Sequence, residues 1–373
     1  MEDVATSSLL SVQEKEQQGA EMTRSWADLP KDLLERIVSQ FSLDGNILFS
    51  AVCKRWQSVA LPLRRLQSPL LMSFSRISLG KCTFFDPSDG NSYERCIPYL
   101  KTKTIRYSKH GWLLVCNSAS GENSLFNPFS CERVELPFSY LDARIVAFSS
   151  EPTSPSCIVI GVKTFVEGYI IVMTCRPGAK EWRSHFFRDK VQFRMAWISP
   201  VFCDGLFYCL DENGRLGVYD PKLNTWTVIS PPVNDLPEEV MPKYCWSFQY
   251  LVESRGKLLM VVLFYPDEPI ILELDRSKNV WTSVKSLDNR TLFLSPSASI
   301  STSCVPGIKP DCVYSHRITN FSDEVYMKGC LHYSLDQGRY HPGDNCYGRV
   351  DPHNMWIQPP HEAPPPWLAG KSY

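Results

Sequence analysis

The spacing of apolar residues along the chain changes once, close to residue 67. Between residues 28 and 66 they recur at helical intervals, as they do at Leu33, Leu34, Ile37, Val38 and Phe41. Beyond residue 70, short apolar runs are separated by turn residues, which is the pattern of β-strands. The sequence therefore predicts an α+β multidomain chain, with a small helical module followed by a mostly β domain.

The first part of the chain carries the signals of three short helices. Pro30 suits a first helical turn, where its missing N–H is not needed, and Asp32 places negative charge at the positive end of the helix dipole. Asp44 can cap a second helix over residues 46–52, and a third helix follows over residues 53–60. We therefore expect a three-helix module.

This module is small for the number of large apolar side chains that it carries. Three helices in about forty residues bury little surface, so such a module gains stability when a partner covers it. The apolar residues that exceed the needs of its core are Leu29, Pro30, Leu33, Ile37 and Trp56. On spacing alone, a partner protein and the β domain of the same chain are both possible covers.

A short unit repeats through the second part of the chain. It consists of an apolar run, then a turn residue that often precedes proline, then a tryptophan six residues later. The clearest copies pair Asp220 with Trp226 and Asp275 with Trp281. Partial copies lie at Asp86, at Asn127, at Arg176 with Trp182, and at Asp351 with Trp356, where the spacing is one residue shorter.

Single glycines followed by apolar runs form a second landmark, at Gly111, Gly168, Gly205, Gly256 and Gly329. We interpret each glycine as part of a tight turn that leads into an inner strand. The tryptophans are expected to pack between neighbouring sheets, where their large surface stabilises most.

The intervals between successive turns are roughly 40 to 55 residues, which is the period of propeller blades. The longer interval from Asp275 to Asp351 predicts an additional blade, with candidate strands at residues 292–294 and 312–314. We therefore predict a β-propeller of six or seven blades. The alternative is an irregular array of β-sandwiches with accidental turns.

The composition limits the compartment and the kind of partner. Formal net charge is -1, which gives no general attraction to nucleic acid or to an anionic membrane. There is no apolar run of signal-peptide or membrane-spanning length, so we expect a cytoplasmic or nuclear protein, or one found in both. The 14 cysteines are scattered without a CxxC pair, which favours buried reduced thiols over metal ligands.

Sequence motifs of catalysis are missing. There is no GxSxG or HExxH, and Gly80-Lys81 lacks the upstream glycine of a phosphate-binding loop. We therefore predict no catalytic residue, no metal and no cofactor. The basic stretch from Lys101 to Lys109 is interpreted as an exposed strand edge protected by lysine rather than as a surface for an acidic partner.

The helical module resembles the F-box. The family pattern begins with Leu-Pro and a Leu-Leu-x-x-Ile helix and ends with Val-Cys-Lys-x-Trp, and the chain matches both ends in order and spacing. Residues 44–46 depart from the usual apolar lead into the second helix. The resemblance implies docking to a Skp-family adaptor, and through it to a cullin, by Leu29, Pro30, Leu33, Leu34, Ile37, Val52, Cys53 and Trp56.

The β domain resembles the kelch-like domain of plant F-box proteins, a domain without a general assigned function. The resemblance rests on residues 125–129 with Leu136-Pro137, and on residues 218–221, 250–254 and 289–294. The Gly-Gly pair of true kelch repeats is missing, so ligands of kelch domains are not carried over. We accordingly divide the chain into a disordered tail (1–24), an F-box (25–66), a kelch-like β-propeller (67–357) and a proline-rich tail (358–373).

These resemblances imply a non-catalytic substrate receptor of an SCF-type ubiquitin ligase, which would bind an unidentified target protein through the propeller. Loops around residues 140–144 and 234–246 are candidate target contacts by location only. Two alternatives remain open at this point. One is an adaptor-bound scaffold without a ligase role, and the other is a propeller enzyme with a vestigial F-box.

Overall fold

The computed structural model describes most of the chain between Trp26 and Pro359. The described residues are 26–38, 49, 52–64, 68–74, 80–117, 119–139, 145–165, 168–188, 191–233, 248–263, 267–303, 305–319, 330–341, 348–349 and 354–359. The two predicted tails lie almost entirely outside these ranges. So do the loops at residues 140–144 and 234–246.

The helical module begins with a 3₁₀ turn at Trp26–Asp28, followed by helix α1 (Lys31–Val38) and helix α2 (Lys54–Arg64). The Pro30 carbonyl accepts hydrogen bonds from the N–H groups of Leu33 and Leu34, so Pro30 starts α1 as predicted. Of the second predicted helix, only Phe49 and Val52 are described. Asp44 and Phe41 lie outside the described residues, so a three-helix module remains a prediction.

The strands described after residue 68 form six sheets. Sheet 1 contains β1 (Leu70–Phe74), β2 (Lys81–Phe85), β3 (Ser92–Cys96) and, from the end of the chain, β26 (Met355–Ile357). Sheet 2 contains β4 (Thr104–Lys109), β5 (Trp112–Cys116), β6 (Asn123–Phe126) and β7 (Arg133–Leu136). Sheet 3 contains β8 (Ile145–Phe148), β9 (Val159–Thr164), β10 (Tyr169–Cys175) and β11 (Arg183–Arg188).

Sheets 4 to 6 continue in chain order. Sheet 4 contains β12 (Val201–Cys203), β13 (Leu206–Leu210), β14 (Leu216–Asp220) and β15 (Thr225–Ile229). Sheet 5 contains β16 (Phe248–Ser254), β17 (Lys257–Leu263), β18 (Ile270–Asp275) and β19 (Val280–Ser283). Sheet 6 contains β20 (Thr291–Ser295), β21 (Ala298–Thr302), β22 (Cys312–Thr319), β23 (Cys330–Ser334), β24 (Arg339–His341) and β25 (Gly348–Arg349).

The innermost strand of each sheet contacts the innermost strand of the next sheet, and these contacts close a ring. Around the ring these inner strands are β26, β4, β8, β12, β16 and β21, and β21 contacts β26 again. The domain is therefore a six-bladed propeller, one of the two predicted blade numbers. The predicted additional blade exists, since β20 and β22 cover the two candidate segments at residues 292–294 and 312–314.

The ring closes where the end of the chain joins blade 1. Strand β26 pairs antiparallel with β1, with Trp356 opposite Leu71. Trp356 is fully buried, and its indole N–H donates to the Leu294 carbonyl of blade 6 at 3.2 Å. Its ring also contacts Phe293 at a centroid distance of 4.9 Å. One side chain thus joins the first blade to the last.

This position corrects one prediction from the sequence. Trp356 was grouped with the tryptophans that follow a turn, but it lies on the innermost strand of blade 1. The physical reason is closure, because a ring of sheets needs a strand from the chain end to cover the inner edge of its first blade.

The repeated turn unit has the same place in several blades. It joins the third strand to the outermost strand, as Asp220 does between β14 and β15. The Asp220 carboxylate accepts from the backbone N–H of Lys222 at 2.7 Å, and the Asn127 side chain accepts from that of Phe129 at 2.8 Å. A short polar side chain that bonds the backbone two residues on is an Asx-turn, which explains the preference for Asp and Asn.

Tryptophans on the outermost strands pack toward the preceding blade, as predicted. Trp182 donates to the Pro137 carbonyl of blade 2, and Trp226 meets Phe193 edge-on at 5.5 Å. Trp281 is fully buried in the cluster that blades 4 and 5 share.

Three of the five predicted glycines occupy the hairpin between the inner strand and the second strand. His110-Gly111, Asp204-Gly205 and Arg255-Gly256 all have positive φ at both residues. That is the signature of a two-residue type I′ turn, for which glycine is favoured at the second position. Gly168 instead precedes β10, the third strand of blade 3, and Gly329 lies outside the described residues.

The interpretation of Lys101–Lys109 as an exposed strand edge was wrong about the exposure. Most of this stretch is β4, which is an edge strand of blade 2 but lies on the inner side of the ring, in contact with β8, β21 and β26. Its residues are buried or half-buried, because neighbouring blades cover them.

The cysteines agree with the prediction of buried reduced thiols. Those that the structure describes are free, and most are buried. Burial raises the pKa of the Cys82 thiol to about 12 and that of the Cys116 thiol to about 11. In the described ranges, no group of three or more His, Cys, Asp or Glu side chains could hold a metal ion. No helix in the described part of the chain is long and apolar enough to cross a membrane.

We expect Trp356→Ala to lower the free energy of unfolding by about 3–5 kcal/mol, because it empties a fully buried site at the ring closure. Urea denaturation of the full chain, followed by far-UV circular dichroism, measures this loss. The matched control is Phe186→Ala, which removes an exposed aromatic ring from the outer strand β11 and should cost less than about 0.5 kcal/mol. Equal losses in the two variants would contradict the role of Trp356.

Candidate functional site

The described residues of the helical module share one apolar cluster. Its buried side chains are Leu34, Val38, Phe49 and Val59. Leu34 and Val38 lie one helical turn apart on α1, so a single stripe of that helix faces the cluster. A module of about forty residues buries little surface and has little stability in reserve.

Side chains of α2 hold the start of the module in place. Trp56 stacks on Phe49 with ring centroids 4.4 Å apart, and its indole N–H donates to the Trp26 carbonyl at 3.3 Å. The Arg55 guanidinium donates to the Leu29 carbonyl at 2.9 Å. Both bonds attach residues 26–29 to α2, so the segment that precedes α1 has a defined position.

The predicted docking residues fall into three groups by exposure. Leu33 and Val52 are exposed apolar side chains, with 44% and 58% of their surface accessible, and Pro30 is also exposed. Leu29, Ile37, Cys53 and Trp56 are half-buried. Leu34 is fully buried in the apolar cluster of the module, so its side chain is covered by the chain itself.

Trp26 was not predicted as a site residue, although it is the most exposed large apolar side chain among the described residues of the module, at 74%. The signal was available, because a tryptophan three residues before Leu29 has no core to enter at the start of a helical module. Trp26, Leu33 and Val52 are therefore the described side chains of the module that offer the most apolar surface.

A groove lies between blades 3 and 4 of the propeller. It has a volume of about 580 Å³ and is lined mainly by apolar side chains with cations at Lys163 and Arg194 and one carboxylate at Glu212. Trp197 is 68% exposed on the segment before β12, and Phe165 is 40% exposed at the end of β9. An exposed tryptophan and phenylalanine in one concave site are typical of a docking surface.

Two of the exposed large apolar side chains that the structure describes in the propeller line this groove, namely Phe165 and Trp197. Isolated apolar residues on a surface need no explanation, but two exposed aromatic rings in one groove mark a candidate site of interaction.

One buried ion pair fixes the wall of the groove. The fully buried Asp211 carboxylate accepts from the Arg215 Nε at 2.6 Å and from the Asn213 backbone N–H at 2.8 Å. The Arg215 Nη1 in turn donates to the Val191 carbonyl at 2.9 Å, and Nη2 donates to the Gln192 carbonyl at 3.3 Å. The segment before β12, which carries Phe193 and Arg194, is thereby attached to blade 4.

Comparisons with known proteins identify both parts of the chain. The F-box domain family matches residues 26–67, and the KIB1-4 beta-propeller family matches residues 84–342. The chain belongs to the plant F-box proteins with a KIB1-4 propeller. Membership in this family supports a general role as a substrate adaptor of SCF-type ubiquitin ligases.

Curated relatives from Arabidopsis thaliana match this F-box protein over nearly its whole length. The F-box/kelch-repeat protein At1g57790 is 33% identical over 91% of this chain and 96% of its own. The F-box protein At3g56470 is 30% identical over 91% of this chain and 90% of its own. A solved structure of BBS1N in complex with ARL6DN aligns with 73% of both chains at a TM-score of 0.32 and 10% identity, a likeness too weak to carry an argument.

The neighbouring leucines of the F-box should differ in their effect on its stability. Leu34→Ala removes a fully buried side chain at a cost of about 2–5 kcal/mol, which is large for a module of about forty residues. Amide hydrogen exchange in α1 and α2 should therefore become fast, while exchange in the propeller strands is unchanged. Leu33→Ala, the matched control, should leave exchange in both helices close to that of the wild-type protein. Slow exchange in the Leu34 variant would show that other residues form the core.

Proposed function

We propose that this protein is the substrate receptor of an SCF-type ubiquitin ligase, in which the F-box docks a Skp-family adaptor and the propeller binds the target. The observation that carries the proposal is the exposure of Leu33 and Val52 on a helical module of only about forty residues. Each fully buried leucine or valine side chain contributes roughly 1.5–3 kcal/mol, so covering both would stabilise the module as well as the complex.

The docking face comprises the residues predicted from the sequence, with distinct roles. The exposed residues Pro30, Leu33 and Val52 would contact the adaptor directly. The half-buried residues Leu29, Ile37, Cys53 and Trp56 would present their outer edges to it, and Leu34 would hold α1 in position from the core side.

We assign target binding to the groove between blades 3 and 4. The occupant that fits it is a segment of the target protein with an aromatic or aliphatic anchor next to acidic residues. The anchor would pack against Trp197 and Phe165, and the acidic residues would face Lys163 and Arg194, which outnumber the single carboxylate of Glu212. Aromatic and arginine side chains dominate the binding energy of many interfaces.

No covalent step is assigned to this chain, which would act by position. A receptor attached to the adaptor and cullin raises the effective concentration of its target near the ubiquitin-charged enzyme. Such a receptor would work in the cytoplasm, in the nucleus or in both. A scaffold that binds only the adaptor would need the same docking face. The presence of cullin in the complex therefore distinguishes a ligase receptor from such a scaffold.

The double variant Leu33→Ala/Val52→Ala should weaken binding to a purified Skp-family adaptor by at least about tenfold, because it removes apolar contacts of about 1 kcal/mol or more each. Isothermal titration calorimetry with the intact protein measures the change. Glu35→Ala is the matched control, since Glu35 is an exposed α1 residue in a surface ion pair with Lys31, at 3.4 Å, and its loss should leave binding unchanged.

Co-purification with the adaptor should also recover cullin with the wild-type protein and with Glu35→Ala. Adaptor without cullin would favour the scaffold alternative. Unchanged adaptor affinity in the double variant would remove Leu33 and Val52 from the docking face.

Target recognition can be tested separately with Phe165→Ala/Trp197→Ala in the groove. In plant cells depleted of this protein, proteins that accumulate should return to normal abundance when the wild-type protein is restored, but not when this variant is. Quantitative proteomics measures the recovery. The control is Leu223→Ala, which removes an exposed apolar side chain from the β14–β15 turn and should restore turnover fully.

Phe165→Ala/Trp197→Ala must still bind the adaptor, because otherwise its failure to restore turnover would reflect a loss of adaptor binding and not a loss of target binding. Full recovery with Phe165→Ala/Trp197→Ala would exclude the groove as the target site and would leave the adaptor role intact.

A further inference from the structure

The innermost strand of blade 4 is interrupted just before β12. Upstream of the interruption Met195 pairs with Asp211 in an isolated antiparallel bridge, and the pairing resumes where Val201 lies opposite Tyr208. The chain takes six residues to pass from Met195 to Val201, whereas the facing strand takes three from Asp211 to Tyr208. Three residues are therefore in excess, and residues 197–200 leave the ladder as a bulge, named here the blade 4 bulge.

The rest of the propeller fixes the backbone of this bulge. On one side the Ala196 N–H donates to the Leu210 carbonyl at 2.9 Å, and on the other the Ser199 N–H donates to the Pro296 carbonyl of blade 6 at 2.8 Å. Between these two bonds, Ile198 is half-buried and packs against two apolar clusters. Blades 4 and 5 share one of these clusters, and blades 5 and 6 share the other. The bulge thus has a defined position in the chain alone.

Trp197 precedes Ile198 in the bulge and has the opposite environment. It is 68% exposed and lines the groove between blades 3 and 4, which Ile198 does not line. The other propeller tryptophans that the structure describes are buried or half-buried, namely Trp112, Trp182, Trp226, Trp281 and Trp356. A single exposed apolar residue needs no explanation, but this one lies on an ordered bulge beside a groove. Bulges redirect side chains and are over-represented next to functional sites.

The two neighbours in the bulge therefore divide the work of a docking surface. Tryptophan is enriched among the residues that dominate the binding energy of interfaces. Such a residue contributes more when its backbone is already ordered, because less entropy is lost on binding. In the blade 4 bulge this order comes from Ile198, which packs against three blades of the ring.

We propose that Ile198 is a positioning residue for target recognition, which holds Trp197 in place to contact the apolar anchor of the target. The inference rests on the proposed target site in the groove and deepens it, because recognition then depends on a side chain that lies outside the groove.

Amide hydrogen exchange of the intact protein tests the positioning. Ile198→Ala removes the side chain that packs against both clusters, so exchange of the Ala196 and Ser199 amides should become at least about tenfold faster. The matched control is Ile229→Ala. Ile229 is also half-buried against the cluster of blades 4 and 5, but it lies on the outer strand β15 and should leave both amides unchanged. Unchanged exchange in Ile198→Ala would overturn the positioning role.

Target turnover tests the consequence for recognition. In plant cells depleted of this protein, Trp197→Ala and Ile198→Ala should both fail to return the accumulated proteins to normal abundance, although the second variant retains Trp197. Ile198→Leu keeps an apolar side chain of equal volume and should restore turnover, as should Ile229→Ala. Quantitative proteomics measures the recovery, and adaptor binding should be equal in all four variants.

Full recovery with Trp197→Ala or with Ile198→Ala would overturn the inference. Failure of Ile229→Ala would do the same, because loss of packing in the cluster would then explain both isoleucine variants. If Ile198→Ala does not fold, Ile198→Val decides, since the loss of one methylene should give faster exchange and partial recovery. Wild-type exchange with full recovery in Ile198→Val would then exclude the role.

Failure of the proposed ligase function gives a different result. Leu33→Ala/Val52→Ala has an intact groove but a weakened docking face, so it should restore no turnover. Recovery with this variant would overturn the receptor role itself, and with it the inference. No recovery with this variant, together with full recovery in Ile198→Ala, would overturn the inference alone.

Discussion

The structure depends on the pairing of β26 with β1. Without this three-residue strand the inner edge of blade 1 would be open, and blade 6 would lose its contacts with β26. Trp356 strengthens the closure because its backbone belongs to blade 1 while its ring and indole N–H contact blade 6. The contact joins residues from opposite ends of the domain, so its entropy cost is met only when the blades between them have formed. Closure therefore makes the stability of each blade depend on the others.

The sequence predicted those features that arise from local hydrogen bonds. The turns at Asp220 and Asn127 could be predicted because each side chain accepts a hydrogen bond from the backbone two residues later. Such a short spacing is visible in the sequence. Three of the five glycine landmarks mark tight turns for the same reason, since a type I′ turn restricts the residue at its second position. These turns lead into the second strand of a blade and not, as predicted, into its inner strand. The prediction of six or seven blades followed from the repeat of these local signals.

The features that the sequence did not predict arise from contacts between distant residues. Trp356 closes the ring, and β4 lies on its inner side, because of which strands contact one another in the folded domain. A short sequence pattern contains no information about such contacts. In the F-box, helical spacing placed Leu33 and Leu34 in one apolar stripe, but adjacent residues lie about 100° apart on a helix. Contact with Phe49 and Val59 decides that Leu34 is buried and Leu33 exposed. The docking prediction itself came from the resemblance to the F-box and not from this spacing.

The hairpin of blade 6 bears on where the proposed target would bind. The turn between β20 and β21 bonds to residues beside blades 2 and 4, because the Ser297 carbonyl accepts from the Ser108 N–H and the Pro296 carbonyl accepts from the Ser199 N–H. This turn narrows the centre of the ring in the part of the chain that the structure describes, so the proposed target would contact the propeller away from the axis. The groove between blades 3 and 4 has about 580 Å³ and exposed aromatic rings, and the Asp211–Arg215 pair holds its wall in place before any partner arrives. A surface that is already ordered loses less entropy on binding, which favours this groove over segments that must first become ordered.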